Sequence, residues 1–110
     1  MAVPGEALEA IATFCKKRVP ARRKHDLRVE CTARGNAVTI TESRQLWADV
    51  SEEWISRRVA QLRFDPESTS WSLYWSEGGS RWQRLDDLGD GPLPVALAEL
   101  DADTDGVFWT

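Results

Sequence analysis

No stretch of the sequence approaches the ~20 consecutive apolar residues that a membrane-spanning helix needs. None reads as a secretory leader either, because Met1 to Ala12 lacks a charged start and carries Glu6 and Glu9. Histidine is nearly missing. His25 stands alone beside Arg22, Arg23, Lys24 and Asp26, and nothing in the spacing brings a serine or cysteine to it as nucleophilic catalysis would require. Cysteine is limited to Cys15 and Cys31, with no CxxC pair and no metal-ligand spacing. One falls in an expected helix and the other in an expected strand, so free buried thiols in a reducing cytosol are expected rather than a disulfide. No glycine-rich phosphate loop occurs; Gly78-Gly79 reads as a turn. Internal repeats and low-complexity segments are also missing. These gaps point to a cytoplasmic chain with no membrane span, no cofactor and no catalytic constellation, and hence away from an enzyme.

What is present suits one globular domain over residues 1–110, with 42% hydrophobic and 29% charged residues. Six tryptophans let a small core bury much apolar surface with few side chains. The net charge of −4 is unevenly spread. Lys16, Lys17, Arg18, Arg22, Arg23, Lys24 and Arg28 form a basic stretch, whereas Asp86, Asp87, Asp90, Glu99, Asp101, Asp103 and Asp105 make the C-terminal part acidic. Such asymmetry marks either a polyanion-binding end or two ends that attract one another in the fold.

Leu8, Ile11, Ala12, Cys15 and Val19 recur at helical spacing, and Lys16, Lys17 and Arg18 suit the negative end of the helix dipole before Pro20. A helix is predicted over 5–18. Leu27, Val29, Cys31 and Ala33 alternate with polar residues, and Gly35-Asn36 makes a two-residue hairpin with glycine first. That turn sets Ala33 against Val38, Cys31 against Ile40, Val29 against Glu42 and Leu27 against Arg44, with Arg28, Glu30, Thr32, Thr39 and Thr41 on a solvated opposite face. Residues 45–57 read as a loop or one-turn helix that tucks Trp47 or Trp54 onto the sheet. A third strand follows through Ala60, Leu62 and Phe64, and a fourth through Trp71, Leu73 and Trp75. A two-residue turn at Gly78-Gly79 would pair Trp75 with Trp82 and Leu73 with Arg84. Pro92 and Pro94 open a short second helix, and Phe108 and Trp109 are too apolar for a free tail. The fold class is therefore α+β: an antiparallel meander sheet of about five strands with an N-terminal helix and a short C-terminal helix. The helices would cover the Trp-rich face and leave an Arg/Tyr face to water.

Several pieces carry a resemblance. Asn36 to Arg44, Val59 to Asp65, the W-x-L-Y-W run Trp71 to Trp75, Arg81-Trp-Gln-Arg84, and Asp101-x-Asp103 with Gly106-Val-Phe-Trp109 resemble domain-of-unknown-function family 3024, a group of small bacterial proteins. The likeness runs from about residue 5 to the end, with Leu85 where relatives often carry an aromatic. It implies one compact domain and no particular activity, substrate or catalytic residue.

Three clusters are candidate sites. Glu42, Arg44 and Arg84 are each expected on an apolar face, where an unpaired charge is costly. They form either a rim ion pair, with Arg84 stacked on Trp75 or Trp82, or a polar pocket for a small anionic or planar ligand. Arg63, Tyr74 and Arg81 are expected together on the open sheet face. Tryptophan, tyrosine and arginine dominate interface energetics, so this surface, rimmed by Glu42, Arg44 and Arg84, is the leading candidate for a non-enzymatic binding module with a protein or small anionic partner. The alternative is nucleic-acid (polyanion) binding through the basic segment 16–28, with Lys16, Lys17, Arg18, Arg22, Arg23 and Lys24 as the contacts. A homodimer suits either, because a small antiparallel sheet leaves edges to cover. Finally, Asp101-x-Asp103-x-Asp105-Gly106 matches the first half of a calcium loop, but the bidentate glutamate such a loop needs would fall past Thr110. The pattern reads instead as a helix end turned by its aspartates, with Gly106 left-handed.

Overall fold

The computed structural model describes residues 3–45, 53–79, 81–86 and 88–109. Helix α1 spans Gly5–Lys17 and buries Ala7, Ile11 and Cys15, which lie at successive i, i+4 positions on one face. Pro4 precedes it and its carbonyl accepts the Ala7 and Leu8 N–H groups, so the first turn is closed by backbone alone. Lys16 and Lys17 occupy the last turn. A 3-10 turn, Ala21–Arg23, leads into the sheet.

Strands β1 (Leu27–Arg34) and β2 (Ala37–Gln45) form the hairpin that the sequence predicts, with Val29 opposite Glu42 and Cys31 opposite Ile40. Gly35 takes φ +59°, the conformation a glycine-first turn demands at that position. Three further strands complete an antiparallel sheet of order β1-β2-β3-β4-β5: β3 (Trp54–Asp65), β4 (Ser70–Glu77) and β5 (Arg81–Arg84). Helix α2 (Leu93–Ala102) follows, and both helices lie on the same face of the sheet, α1 against β1 and α2 against β4. The α+β meander with a helix near each end is thus as expected.

Two stretches depart from the sequence reading. Trp54–Arg57, expected as loop or helical turn, extends β3. Its inward position 57 is an arginine, so the hydrophobic alternation that marks a strand is broken there. The other proposed anchor, Trp47, and the rest of 46–52 lie outside the described residues. The second departure is the β4–β5 hairpin. The connection takes three residues rather than two, so Trp75 faces Gln83, Ser76 faces Trp82 and Tyr74 faces Arg84. A slip of one residue sends every side chain of β5 to the opposite face.

A bulge between β2 and β3 has a similar effect within one strand. Ile40 pairs with Ala60 but Thr41 pairs with Arg58, which leaves Val59 as the extra residue. Val59 and Ala60 are consequently both buried, one after the other. The core they join contains Ile11, Val38, Ile40, Leu62, Leu73, Leu100 and Phe108. Phe108 is only 1% exposed, and it is delivered by a turn that Asp103 organises. Asp103 ends α2 in the left-handed region, and its carboxylate accepts the N–H groups of Val107, Phe108 and Trp109 at 2.9–3.1 Å. The indole of Trp109 donates to the Leu100 carbonyl at 2.8 Å. Gly106 is left-handed, as expected.

Phe108→Ala should cost about 3–5 kcal/mol, the usual result of emptying a large core site. Asp103→Ala should cost about 1–3 kcal/mol by leaving three N–H donors without their charged acceptor. Urea unfolding at neutral pH reads both, and midpoints within error of the parent would refute the docking of this C-terminal segment.

Candidate functional site

The face of the sheet opposite the helices is built from alternate residues of all five strands. Register places Arg28, Glu30, Thr32 and Arg34 there from β1, and Thr39, Thr41, Ser43 and Gln45 from β2. From β3 come Trp54, Ser56 and Arg58 and, past the bulge, Gln61, Arg63 and Asp65. Ser72, Tyr74 and Ser76 of β4 and Trp82 and Arg84 of β5 complete it. Five arginines share this face with two acids, in a protein whose net charge is −4.

Three of these arginines lie over aromatic rings. The guanidinium carbon of Arg63 is 3.8 Å from the Tyr74 ring centre, that of Arg28 is 3.9 Å from Trp54, and that of Arg58 is 5.5 Å from Trp82. Each contact is worth about 0.5–1 kcal/mol at an exposed site, so together they order the face without dominating stability. Hydrogen bonds add to that order. Arg63 Nε donates to Gln61 Oε1 at 2.6 Å, Gln61 Nε2 donates to Thr39 Oγ1 at 3.1 Å, and the hydroxyls of Ser43 and Ser56 are 2.7 Å apart. Arg58 also donates to the Gly79 carbonyl. Beside it a shallow pocket of about 220 Å³ opens between Thr41, Ser56, Arg58 and Gly79.

The sequence placed Arg63 and Tyr74 on this face, and the structure brings them into direct contact. Arg81 was expected with them and is not there: the slipped β5 register turns it to the helix side, opposite Glu77. The same slip moves Trp82 and Arg84 from the expected apolar face to the open one. Arg84 pairs with Asp90 and, at 3.9 Å, with Asp86; it does not meet Glu42, and the cation over Trp82 is Arg58. Arg28 was expected on the solvated face, but Trp54, Arg58 and Trp82 were missed as members of it. The signal for the first part of β3 was the alternation Trp54-x-Ser56-x-Arg58, polar and aromatic rather than apolar.

Glu42 and Arg44 lie on the helix side, as expected. Glu42 is buried, its side chain 7% exposed, and its Oε1 accepts from Arg44 Nε at 3.1 Å and from Arg57 Nε at 3.2 Å. Arg57 also donates to the Phe108 carbonyl at 3.0 Å. The ion pair therefore ties β2 and β3 to the docked C-terminal turn, and the unforeseen Arg57 is its centre.

In the basic segment two of the six cations are engaged. Arg18 bonds Asp101 at 3.1 Å and lies 4.0 Å from the centre of the Trp109 ring, joining the two oppositely charged ends of the chain. Arg23 bonds Asp26 at 2.9 Å and holds that carboxyl below its ordinary range. Lys16, Lys17, Arg22 and Lys24 are exposed, and Lys16 and Lys24 flank an open groove of about 520 Å³ that reaches Arg28. The three C-terminal aspartates are not gathered into one site. Asp103 serves the turn, Asp101 meets Arg18, and among the described residues no group of three or more His, Cys, Asp or Glu could hold a metal ion. Both cysteines are free. Burial, reinforced by the Cys31 thiol beside it, pushes the Cys15 thiol from an ordinary 9.0 up to about 12. Among the described residues no helix is long and apolar enough to cross a membrane.

The family model that describes a domain of unknown function (DUF3024) matches residues 3–110. Curated protein sequences and solved structures give no match to the chain.

Two predictions follow from this geometry. Arg57→Ala should destabilise the fold by about 2–3 kcal/mol. This is less than the ~3–5 typical of a fully buried broken pair, because Arg57 keeps 36% of its side chain exposed. Glu42→Leu combined with Arg57→Leu should recover most of that loss, and a double mutant as unstable as Arg57→Ala would contradict the pairing. For Cys15 the folded state holds the thiol proton more tightly than the unfolded chain does. Its contribution to stability is whole below about pH 9 and is lost as pH rises toward 12. A Cys15→Ala variant should show a flatter stability curve over that window than the parent.

Proposed function

Because the chain belongs to the DUF3024 family, whose description names no activity, its surface has to carry the functional argument, and we propose that the protein is a non-enzymatic binding module that takes an anionic partner on the open face of its sheet. The carrying observation is the set of three arginine–aromatic stacks, Arg28 on Trp54, Arg58 on Trp82 and Arg63 on Tyr74, on the one sheet face that no helix covers. Among the described residues no carboxylate pairs with any of these three arginines, so their charge is directed outward. The planar guanidinium supports this, since it presents a rigid fork of donors suited to carboxylate, phosphate or sulfate oxygens. Arg84, with Asp86 and Asp90 beside it, forms one rim. Glu42 and Arg44, on the helix side, support the sheet instead.

A second reading keeps the basic segment as the contact. Lys16, Lys17, Arg22 and Lys24 are exposed, and Lys16 and Lys24 line a groove beside β1 that also includes Arg28 and Glu30 of the open face. The segment would extend the same basic surface around the edge of the sheet.

Binding to immobilised heparin, at low and moderate salt, separates the two. The parent should bind with an affinity that falls as salt rises, as ion-pair contacts require. Replacing Arg58 and Arg63 together by serine should weaken binding about tenfold or more, while replacing Arg22, Arg23 and Lys24 by alanine should change it about twofold. The opposite ranking would move the contact to the basic segment.

A further inference from the structure

The open face is more particular than a patch of positive charge. Its stacks are strung along one strand: Trp54, Arg58 and Arg63 all belong to β3, and at a strand rise of about 3.3 Å per residue they span about 30 Å. Each pair combines a guanidinium with a ring that is only half-buried. Between the stacks the face carries hydroxyl and amide groups from Thr39, Thr41, Ser56, Gln61, Ser72 and Ser76 and no large aliphatic side chain. At its middle, the pocket of about 220 Å³ between Thr41, Ser56, Arg58 and Gly79 places two hydroxyls beside a guanidinium.

We infer that the anionic partner of this face is single-stranded nucleic acid, lying along β3 with bases stacked on the Arg28–Trp54, Arg58–Trp82 and Arg63–Tyr74 pairs and a phosphate in the Thr41–Ser56–Arg58 pocket. This rests on the reading of the open face as the binding surface. Planar stacking sites on a basic groove or sheet are what unpaired bases require, because every base has a π-face and a charged backbone beside it. A duplex hides its bases from such sites and offers phosphates alone. A sulfated or phosphorylated polymer without bases would use the arginines and ignore the rings. A protein partner would use the same rings and arginines, but it would have no need of their spacing along one strand or of a hydroxyl-lined pocket beside Arg58.

The test is titration of the full chain with the oligonucleotide dT12, followed by quenching of Trp54 and Trp82 fluorescence, alongside a 12-base-pair duplex and heparin. Saturable binding of dT12 should persist at moderate salt where the duplex has been released. Tyr74→Leu, which keeps every charge, should weaken dT12 about tenfold and leave heparin affinity within about twofold, in line with the loss of one stacked base. Arg58→Lys, which keeps the charge and removes the planar group, guards against a variant that merely loosens the sheet; it should also weaken dT12 more than heparin. If dT12, duplex and heparin bind alike and respond to charge alone, the nucleic-acid inference is overturned and the anion-binding face stands. If the parent binds none of the three at low salt, both fall.

Discussion

The bulge at Val59 decides what each face of the molecule can do. Without the extra residue, β3 would run in simple alternation from Phe64 back to Trp54. Arg58 would then share the buried face of Ala60 and Leu62, and Arg57 would point to water. The inserted Val59 reverses the parity. Arg57 turns inward to Glu42 and the Phe108 carbonyl, and Arg58 turns outward to Trp82. Two adjacent arginines thereby take opposite tasks, one bracing the core and one arming the surface. A bulge is a common device for re-aiming side chains next to a functional surface.

That constraint also explains what could be read from the sequence. The β1–β2 hairpin was legible pair by pair, because a glycine-first turn and a clean period of two determine the register together. Helix α1 was legible from the spacing of Leu8, Ile11, Ala12, Cys15 and Val19 and from Pro20 behind it, and of these Ile11 and Cys15 are the buried ones. The first third of β3 was not, since its inward position 57 is charged and its partner Glu42, on the neighbouring strand β2, comes opposite it only through the bulge at Val59. The open face was half legible. Arg63 and Tyr74 follow from local alternation, but Trp82, Arg84 and Arg81 depend on whether a turn holds two residues or three. Gly78 and Gly79 are both left-handed, at φ +62° and +77°, and two glycines suit either turn length. Local sequence cannot choose between them; the register seen is the three-residue one, which the Leu85 N–H continues by donating to the Leu73 carbonyl.

Net charge says little about either face alone, for a related reason. At −4 the chain looks ill suited to an anionic partner. Nine of the eighteen acids, however, lie in α1, α2 and the segments flanking α2, while the strands place Arg28, Arg34, Arg58, Arg63 and Arg84 on the uncovered face, with Glu30 and Asp65 beside them and Asp86 and Asp90 against Arg84. Sheet alternation sorts charge across a layer about 10 Å thick, roughly the Debye length at physiological salt. An approaching ligand therefore meets the field of the near face more strongly than the total.

The pairing of each exposed ring with an arginine settles a conflict that any aromatic sheet surface faces. Bare Trp and Tyr on an open sheet form the kind of contiguous apolar patch that promotes association. Covering each ring with a guanidinium hides the apolar area while the face is empty and adds a charge that keeps copies apart. The same guanidinium is weakly hydrated and flat, so a planar ligand group can stack on it, or displace it from the ring, at small desolvation cost. Trp54, Tyr74 and Trp82 are each only half-buried, which leaves ring edges within reach once the arginine shifts. Under the proposed reading, the contacts that cover the rings in the free protein are the ones a planar ligand would exchange, and the cost of exchanging one stack for another is about the 0.5–1 kcal/mol of an exposed cation–π contact.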